Sequence, residues 1–277
     1  MPDREEAVKR TSVNPFPVLL TFDLDAETLW TARDPDNARR PITLSQGSYG
    51  PKTGLPRILD LLKRYGISAT FFIPGQTIER YPEAAKEIHR AGHEIGHHSY
   101  SHKWLDDMPE DEERREFDLG ISLIKEVTGQ APSGYRSPAA EFSPNTMRLL
   151  LEYGFRYSSN FFDRDSPYRH LVAGKRTDLV ELPFAWVLDD APFFLYSVRL
   201  PGRVMSPPSA VAEHWIAEFD GLYAEEGTAY VLAMHPEIIG RPSRIPLLER
   251  LIQHALAEDH VWMGRCDTWV ERIRDDL

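Results

Sequence analysis

The sequence predicts an α/β fold, a single barrel-like domain of repeated strand–helix units. Three observations point there. Short apolar runs alternate with helix-periodic segments along most of the 277 residues, the pattern of parallel strands joined by helical crossovers. No stretch of shifted composition divides the chain into parts. The chemistry-bearing residues fall just after the apolar runs, at the C-terminal strand ends where α/β barrels carry their sites.

The first strand is expected at 18–22, Val18-Leu19-Leu20-Thr21-Phe22, a mostly apolar run that reads as a buried strand. The polar segment 31–53 follows, with Pro35, Pro41, Gly47 and Gly50, and reads as a functional loop or lid. Leu55, Ile58, Leu59 and Leu62 then recur at helical spacing and stop before Gly66. Residues 69–73 form a second strand, 82–91 a helix ended by Gly92, and 93–97 a short strand. A long helix is predicted over 110–128, with Phe117, Ile121, Ile124 and Val127 inward and Gly129 at its stop. A brief strand at 134–136 precedes Ser143-Pro144, an N-cap followed by proline at the first helical position. That helix should bury Met147, Leu150 and Leu151 and end at Gly154. Further strands are expected at 155–159, 179–186, 229–234 and 261–263. Helices are expected at 210–225 and 245–257 and at the end of the chain.

Hydrophobic residues make up 42% and charged residues 27%, with a net charge of −11. Such an acidic chain repels phosphate backbones, so nucleic-acid binding is disfavoured. Cys266 is the single cysteine, which excludes an intramolecular disulfide and a cysteine-based zinc site. No run approaches the roughly 20 apolar residues of a membrane span. The charged start, Met1-Pro2-Asp3-Arg4-Glu5-Glu6, does not read as a secretory signal, so a cytoplasmic protein is expected.

Two carboxylates, Asp23 and Asp25, close the first strand in Thr21-Phe22-Asp23-Leu24-Asp25. Two apart on extended backbone, they project to one side. That crowding is relieved when a cation binds one and leaves the other as a base. His97, His98 and His102 lie within six positions, and the His98-x-x-x-His102 spacing can grip one metal ion. His93-Glu94-Ile95-Gly96-His97 also matches the zinc-protease pattern letter for letter. That chemistry needs a helix, whereas Gly92 and Gly96 favour extended backbone here. Arg136, at another strand end, can orient a carboxylate. His235, after 229–234, can donate a proton to a leaving amine. Either Asp163 with Asp165 or Asp189 with Asp190 can orient that histidine. Trp30, Trp186 and Phe193 are pocket candidates, and the basic run Gly240-Arg241-Pro242-Ser243-Arg244 can meet substrate.

In this order the motifs resemble the polysaccharide deacetylase family. Thr21-Phe22-Asp23-Leu24-Asp25 is similar to its Thr-Phe-Asp-Asp-Gly, and His98-Ser99-Tyr100-Ser101-His102 to its His-Ser-x-x-His. Arg136-Ser137-Pro138 is similar to Arg-x-Pro, and Leu232 to His235 to Leu-x-His with one residue more. Asp163 stands for the fourth motif. The resemblance spans about 17–240 and implies a distorted (β/α)7 barrel, one catalytic domain over 1–277 with its core at about 17–265. It implies Zn2+, or another divalent transition metal, held by Asp25, His98 and His102, with Asp23 as base and His235 as acid beside Arg136. His97 is expected nearby but unligated. Glu27, Trp30, Trp186, Asp190 and Arg241 are the substrate-binding candidates. The inserted Leu24 resembles a sub-branch with peptidoglycan deacetylase-, cyclic imidase- and allantoinase-like members, often homo-oligomeric. The expected activity is hydrolysis of a non-peptide C–N bond, removing N-acetyl from a sugar or related amide. The alternatives are a small cyclic imide or ureide as substrate, and an inert carbohydrate-binding barrel.

Overall fold

The computed structural model describes residues 14–200 and 202–277; the charged start at 1–6 lies outside them. β1 (Phe16–Asp23) is buried at all eight positions, and its one buried hydroxyl, Thr21 Oγ1, donates to the Leu232 carbonyl at 2.8 Å. It pairs in parallel with β2 (Thr70–Ile73), which continues to β3 (Glu94–His97), β4 (Gly134–Tyr135) and β5 (Tyr157–Ser158). β6 (Tyr168–Val172) and β7 (Lys175–Glu181) form an antiparallel hairpin whose second strand runs parallel to β5. β8 (Tyr230–Met234) lies on the other side of β1, where β9 (Val261–Met263) also pairs. The sheet curls in the order β6-β7-β5-β4-β3-β2-β1-β8. A bridge from Asp189 to Ala233 ties the segment after β7 to β8. This is the distorted (β/α)7 barrel, with its strand C-termini gathered at one rim.

Helices cover the outside of the sheet. Leu55–Tyr65 buries Leu55, Ile58, Leu59, Leu61 and Leu62 and ends on Gly66 at φ 65°. Glu110–Thr128 ends on Gly129 at φ 77°. Both glycines take the left-handed turn that closes a helix cheaply only without a Cβ. The last helix, Cys266–Ile273, packs Cys266, Trp269 and Val270 against Leu19 and Val231, so the buried core extends past position 265. Among the described residues no helix is long and apolar enough to cross a membrane.

Three local expectations are corrected. The stretch 31–53 is helical rather than a loop: Thr28–Arg33, Pro35–Arg39, Pro41–Tyr49 and Gly50–Gly54 follow one another. Pro35 and Pro41 start helices instead of breaking them, because proline lacks only an N–H that is unpaired in the first turn anyway. Strand β7 lies earlier than 179–186 and belongs to a hairpin, whose turn residues Ala173 and Gly174 both have positive φ, as tight hairpins demand. The helix after Ser143 runs Thr146–Glu152 and buries Leu149 with Leu150, leaving Met147 and Leu151 partly covered.

Gly54 shows how tightly this helical run is seated. A Cβ there would lie 2.0 Å from the Pro236 carbonyl oxygen, a backbone atom that cannot swing away. Gly54→Ala should therefore lower unfolding free energy by about 3 kcal/mol and disturb the chain next to His235. Chemical denaturation checks this, and a variant as stable as the parent would mean the contact relaxes freely.

The zinc-protease look-alike is extended, as expected. Glu94 lies in β3 and His93 precedes it. The His93 Nδ1 accepts the Ala69 N–H at 3.0 Å. The buried Glu94 carboxyl accepts Thr70 Oγ1 at 2.7 Å, Tyr157 Oη at 2.9 Å and the Asp267 N–H at 3.1 Å. Burial, then the nearby Asp267, push Glu94 from 4.5 up to about 7. A folded carboxyl raised above its unfolded value contributes full stability below about pH 4.5 and loses it as pH climbs through about 7. Relative to Glu94→Gln, the parent should lose about 3 kcal/mol between pH 4.5 and pH 8. Urea unfolding of both at each pH tests this; a constant difference contradicts it.

Candidate active site and metal centre

The site forms where β1, β3 and β8 end. After Asp23 the chain alternates sides. Leu24 turns into the core, so Asp23 and Asp25 face the rim together. The inserted Leu24 is thus the residue that spaces the carboxylates. Beyond β3, Ser99 and His102 take positive φ, and the loop between them is held from below by Glu116. That carboxylate accepts the N–H groups of Tyr100 at 2.9 Å and Ser101 at 2.7 Å, and the hydroxyls of Ser99 and Ser101. Glu116 thereby fixes the loop that carries both imidazoles.

His98 Nε2 lies 3.3 Å from Asp25 Oδ1, and His102 Nε2 lies 3.2 Å from Asp25 Oδ2. Asp25 is fully buried, yet neither carboxylate oxygen has a hydrogen-bond partner. Burial alone would raise Asp25; the imidazoles of His102 and His98 outweigh it and hold the carboxyl well below the usual range. Buried unpartnered carboxylate oxygens are costly unless a cation answers them. One ligand atom from each of Asp25, His98 and His102 lies within 4.8 Å of the others, a donor set that suits a divalent transition metal. His98 Nδ1 sits 2.7 Å from the Arg136 carbonyl oxygen. Donating there leaves Nε2 as the lone-pair nitrogen aimed inward.

Asp23 lies beside this set, its Oδ2 4.0 Å from His98 Nε2, and is held by Arg136. The Nη1 of Arg136 donates to Asp23 Oδ1 at 3.0 Å and to Thr21 Oγ1 at 2.7 Å, and its Nη2 donates to Ser159 Oγ at 2.8 Å. Its guanidinium also lies 4.5 Å from the Phe72 ring and 4.9 Å from that of Phe184. Across the rim, His235 Nδ1 is 2.7 Å from Asp190 Oδ1, and its backbone N–H donates to Asp190 Oδ2 at 3.0 Å. His235 Nε2 faces Asp25 Oδ2 at 3.7 Å. Burial opposes the imidazolium, but Asp190, then Asp189 and Asp25, more than reverse this and raise His235 well above its ordinary value. Asp189, Asp190 and His235 form a second close group. Asp190 spends both oxygens on His235, and Asp189 accepts the Ala191 N–H at 2.7 Å, so this group reads as support for the histidine.

Asp23, Asp25, His98, His102, Arg136 and His235 all line one cleft of about 350 Å3. Trp186 lines its mouth and is half exposed. Other candidates lie elsewhere. Asp163 is exposed, accepts the Tyr168 hydroxyl at 3.0 Å and does not line the cleft. It sits beside the β6–β7 hairpin, away from β8; Asp190 takes the role of orienting His235. Glu27 is turned to Tyr81 Oη at 2.7 Å. Trp30 and Arg241 line a neighbouring cleft with Glu237, and Arg241 stacks 3.6 Å over Tyr49. His97 points away from the ligand set, stacked on Phe117 and Tyr135, and burial lowers it to about 3. Glu116 and Ser159 were missed. The signal for Glu116 was present: with Glu113 it is an acidic pair three apart on the inward face beside Phe117 and Gly120.

Fold and site together define a class, the metal-dependent hydrolases of non-peptide C–N bonds. The family model for polysaccharide deacetylases matches residues 42–158. The peptidoglycan deacetylase of Helicobacter pylori is 34% identical over 256 residues, covering 84% of this chain and 87% of its own. A candidate polysaccharide deacetylase of Mycobacterium smegmatis superposes with a TM-score of 0.90 at 38% identity, over 99% of this chain and 95% of that one. The allantoinase Puue superposes with a TM-score of 0.81 at 25% identity, over 94% and 90%. The chain belongs to the polysaccharide deacetylase family. It is an amide-cleaving hydrolase with a candidate metal-binding site.

Proposed function

We propose that this enzyme removes the acetyl group from an N-acetylated sugar, with zinc as the metal, held by Asp25, His98 and His102. The observation that carries the reading is Asp25: a fully buried carboxylate with both oxygens unpartnered, facing two imidazole nitrogens. A divalent cation there supplies Lewis-acid chemistry, acidifying water and polarising the amide carbonyl. Asp23, oriented by Arg136, takes a proton from the attacking water. The hydroxide adds to the acyl carbon and the C–N bond breaks. His235, kept as imidazolium by Asp190, delivers the proton that the departing nitrogen needs. The products are acetate and the free amine, and Asp23 and His235 exchange protons with solvent to reset. Asp23 and His235 line the same cleft as Asp25, so base and acid can both reach one bound amide.

Likeness to an allantoinase over nearly the whole chain supports a second reading, ring-opening of a small ureide or cyclic imide by the same residues. Acetate release from N-acetylglucosamine and N-acetylmuramic acid oligomers, set against ring-opening of both small-molecule types, separates the two. Metal content is measured on the same preparation. Ring-opening without acetate release would replace the first reading by the second.

A further inference from the structure

The cleft contains two arginines that this mechanism leaves unused. Arg33, at the end of the helix Thr28–Arg33, and Arg203 both line it together with Asp25 and His235. The chain has 43 acidic residues against 32 basic ones, and most arginines near acids pair with them. These two do not, among the described residues. The Arg33 Nε is buried without a hydrogen-bond partner, and its guanidinium lies 5.8 Å from the Trp104 ring centre. Arg203 spends Nη1 on the Pro192 carbonyl at 3.3 Å. Burial, then the neighbouring charge of Arg203, weaken the hold of Arg33 on its proton against the smaller, opposite pull of Asp25 and Asp189, so the two cations feel one another.

The carboxylates of the site are already committed. Asp23 belongs to Arg136, Asp190 to His235 and Asp189 to the Ala191 N–H, while Asp25 faces the imidazoles. Two like charges gathered in a partly buried wall are unfavourable until an anion joins them. A guanidinium fork matches a planar carboxylate in geometry and charge. The acidic floor of the cleft and the net charge of −11 oppose a dianion more than a monoanion. Trp104 and Trp186, 47% and 48% exposed, flank the same cleft as flat faces for a sugar ring, a use to which amphipathic aromatic rings are suited.

We infer that Arg33 and Arg203 form an anion subsite of the cleft, which binds a carboxylate carried by the N-acetylated sugar next to its reacting amide. The inference rests on the deacetylase reading for the sugar, but its test reads binding separately from turnover. Calorimetry compares N-acetylmuramic acid, which bears a carboxylate, with N-acetylglucosamine, which does not, on the metal-loaded protein. The parent should bind the acid about ten- to hundredfold more tightly, the range expected of a charge-assisted pair. Arg33→Gln and Arg203→Gln should each reduce that ratio and their combination bring it close to one, while Arg33→Lys retains part of it. Thermal unfolding establishes that each variant is folded. Equal binding of the two sugars by the parent, or a preference that survives the double substitution, overturns the subsite. Acetate release from both sugars alongside equal binding overturns the subsite and leaves the deacetylase reading standing. A carboxylate preference without any acetate release does the reverse.

Discussion

Asp25→Asn is expected to leave the purified protein without bound metal and to lower turnover by at least about a thousandfold. Two effects combine. The amide oxygen is a poor substitute for a carboxylate as a ligand, and the side chain no longer supplies the negative charge that draws a cation between His98 and His102. A second readout needs no substrate. A metal ion that binds only the folded chain adds about 4 kcal/mol of stability when present at a thousand times its dissociation constant. Chelation should therefore lower the melting temperature of the parent and hardly move that of the variant. Elemental analysis with melting curves, with and without chelator, makes the comparison. A variant that keeps one equivalent of metal and normal turnover would remove Asp25 from the centre.

His235→Ala should behave in the opposite way towards metal. The protein keeps its metal content, because Asp25, His98 and His102 are intact, and loses about a hundred- to ten-thousandfold in rate, the range for a general acid. The loss should shrink on substrates whose leaving amine is weakly basic, since these need less proton donation. Asp190→Asn probes the same group through pH. In the parent, Asp190 stabilises the imidazolium and raises the His235 pKa. The acid form then persists to higher pH, and the alkaline limb of the kcat profile lies correspondingly high. Removing the charge lowers that pKa, so the alkaline limb should shift to lower pH with metal content unchanged. An unshifted limb, or an equal rate loss for every leaving group, would take the acid role from His235.

Both predictions concern residues that were visible before any fold was known. Asp23, Asp25, His98, His102, Arg136 and His235 each lie at or just beyond the end of an expected strand, and in an α/β barrel that position carries them to one rim. The look-alike His93-Glu94-Ile95-Gly96-His97 could be set aside on local grounds, because flanking and internal glycines favour a strand and a strand separates the two histidines from a common metal. The sequence offers two aspartate pairs as partners of His235. Asp163 and Asp190 both follow apolar segments, and sequence spacing does not distinguish a residue beside an antiparallel hairpin from one bridged to β8.

The amino-acid sequence by itself determined the alternation of strands and helices, the helix stops at Gly66 and Gly129, and the set of side chains available for chemistry. These depend on period, on backbone freedom at glycine and on residue type, all of which act over a few neighbours. Tertiary structure alone decided that 31–53 packs as helices against the rim, that Glu116 braces the histidine loop and that Asp190 serves His235. It also brought Arg33 and Arg203 into one wall of the cleft, 170 positions apart in sequence. Such pairings depend on where the curled sheet sets distant segments side by side, and burial then strengthens charges and hydrogen bonds that would be weak in water.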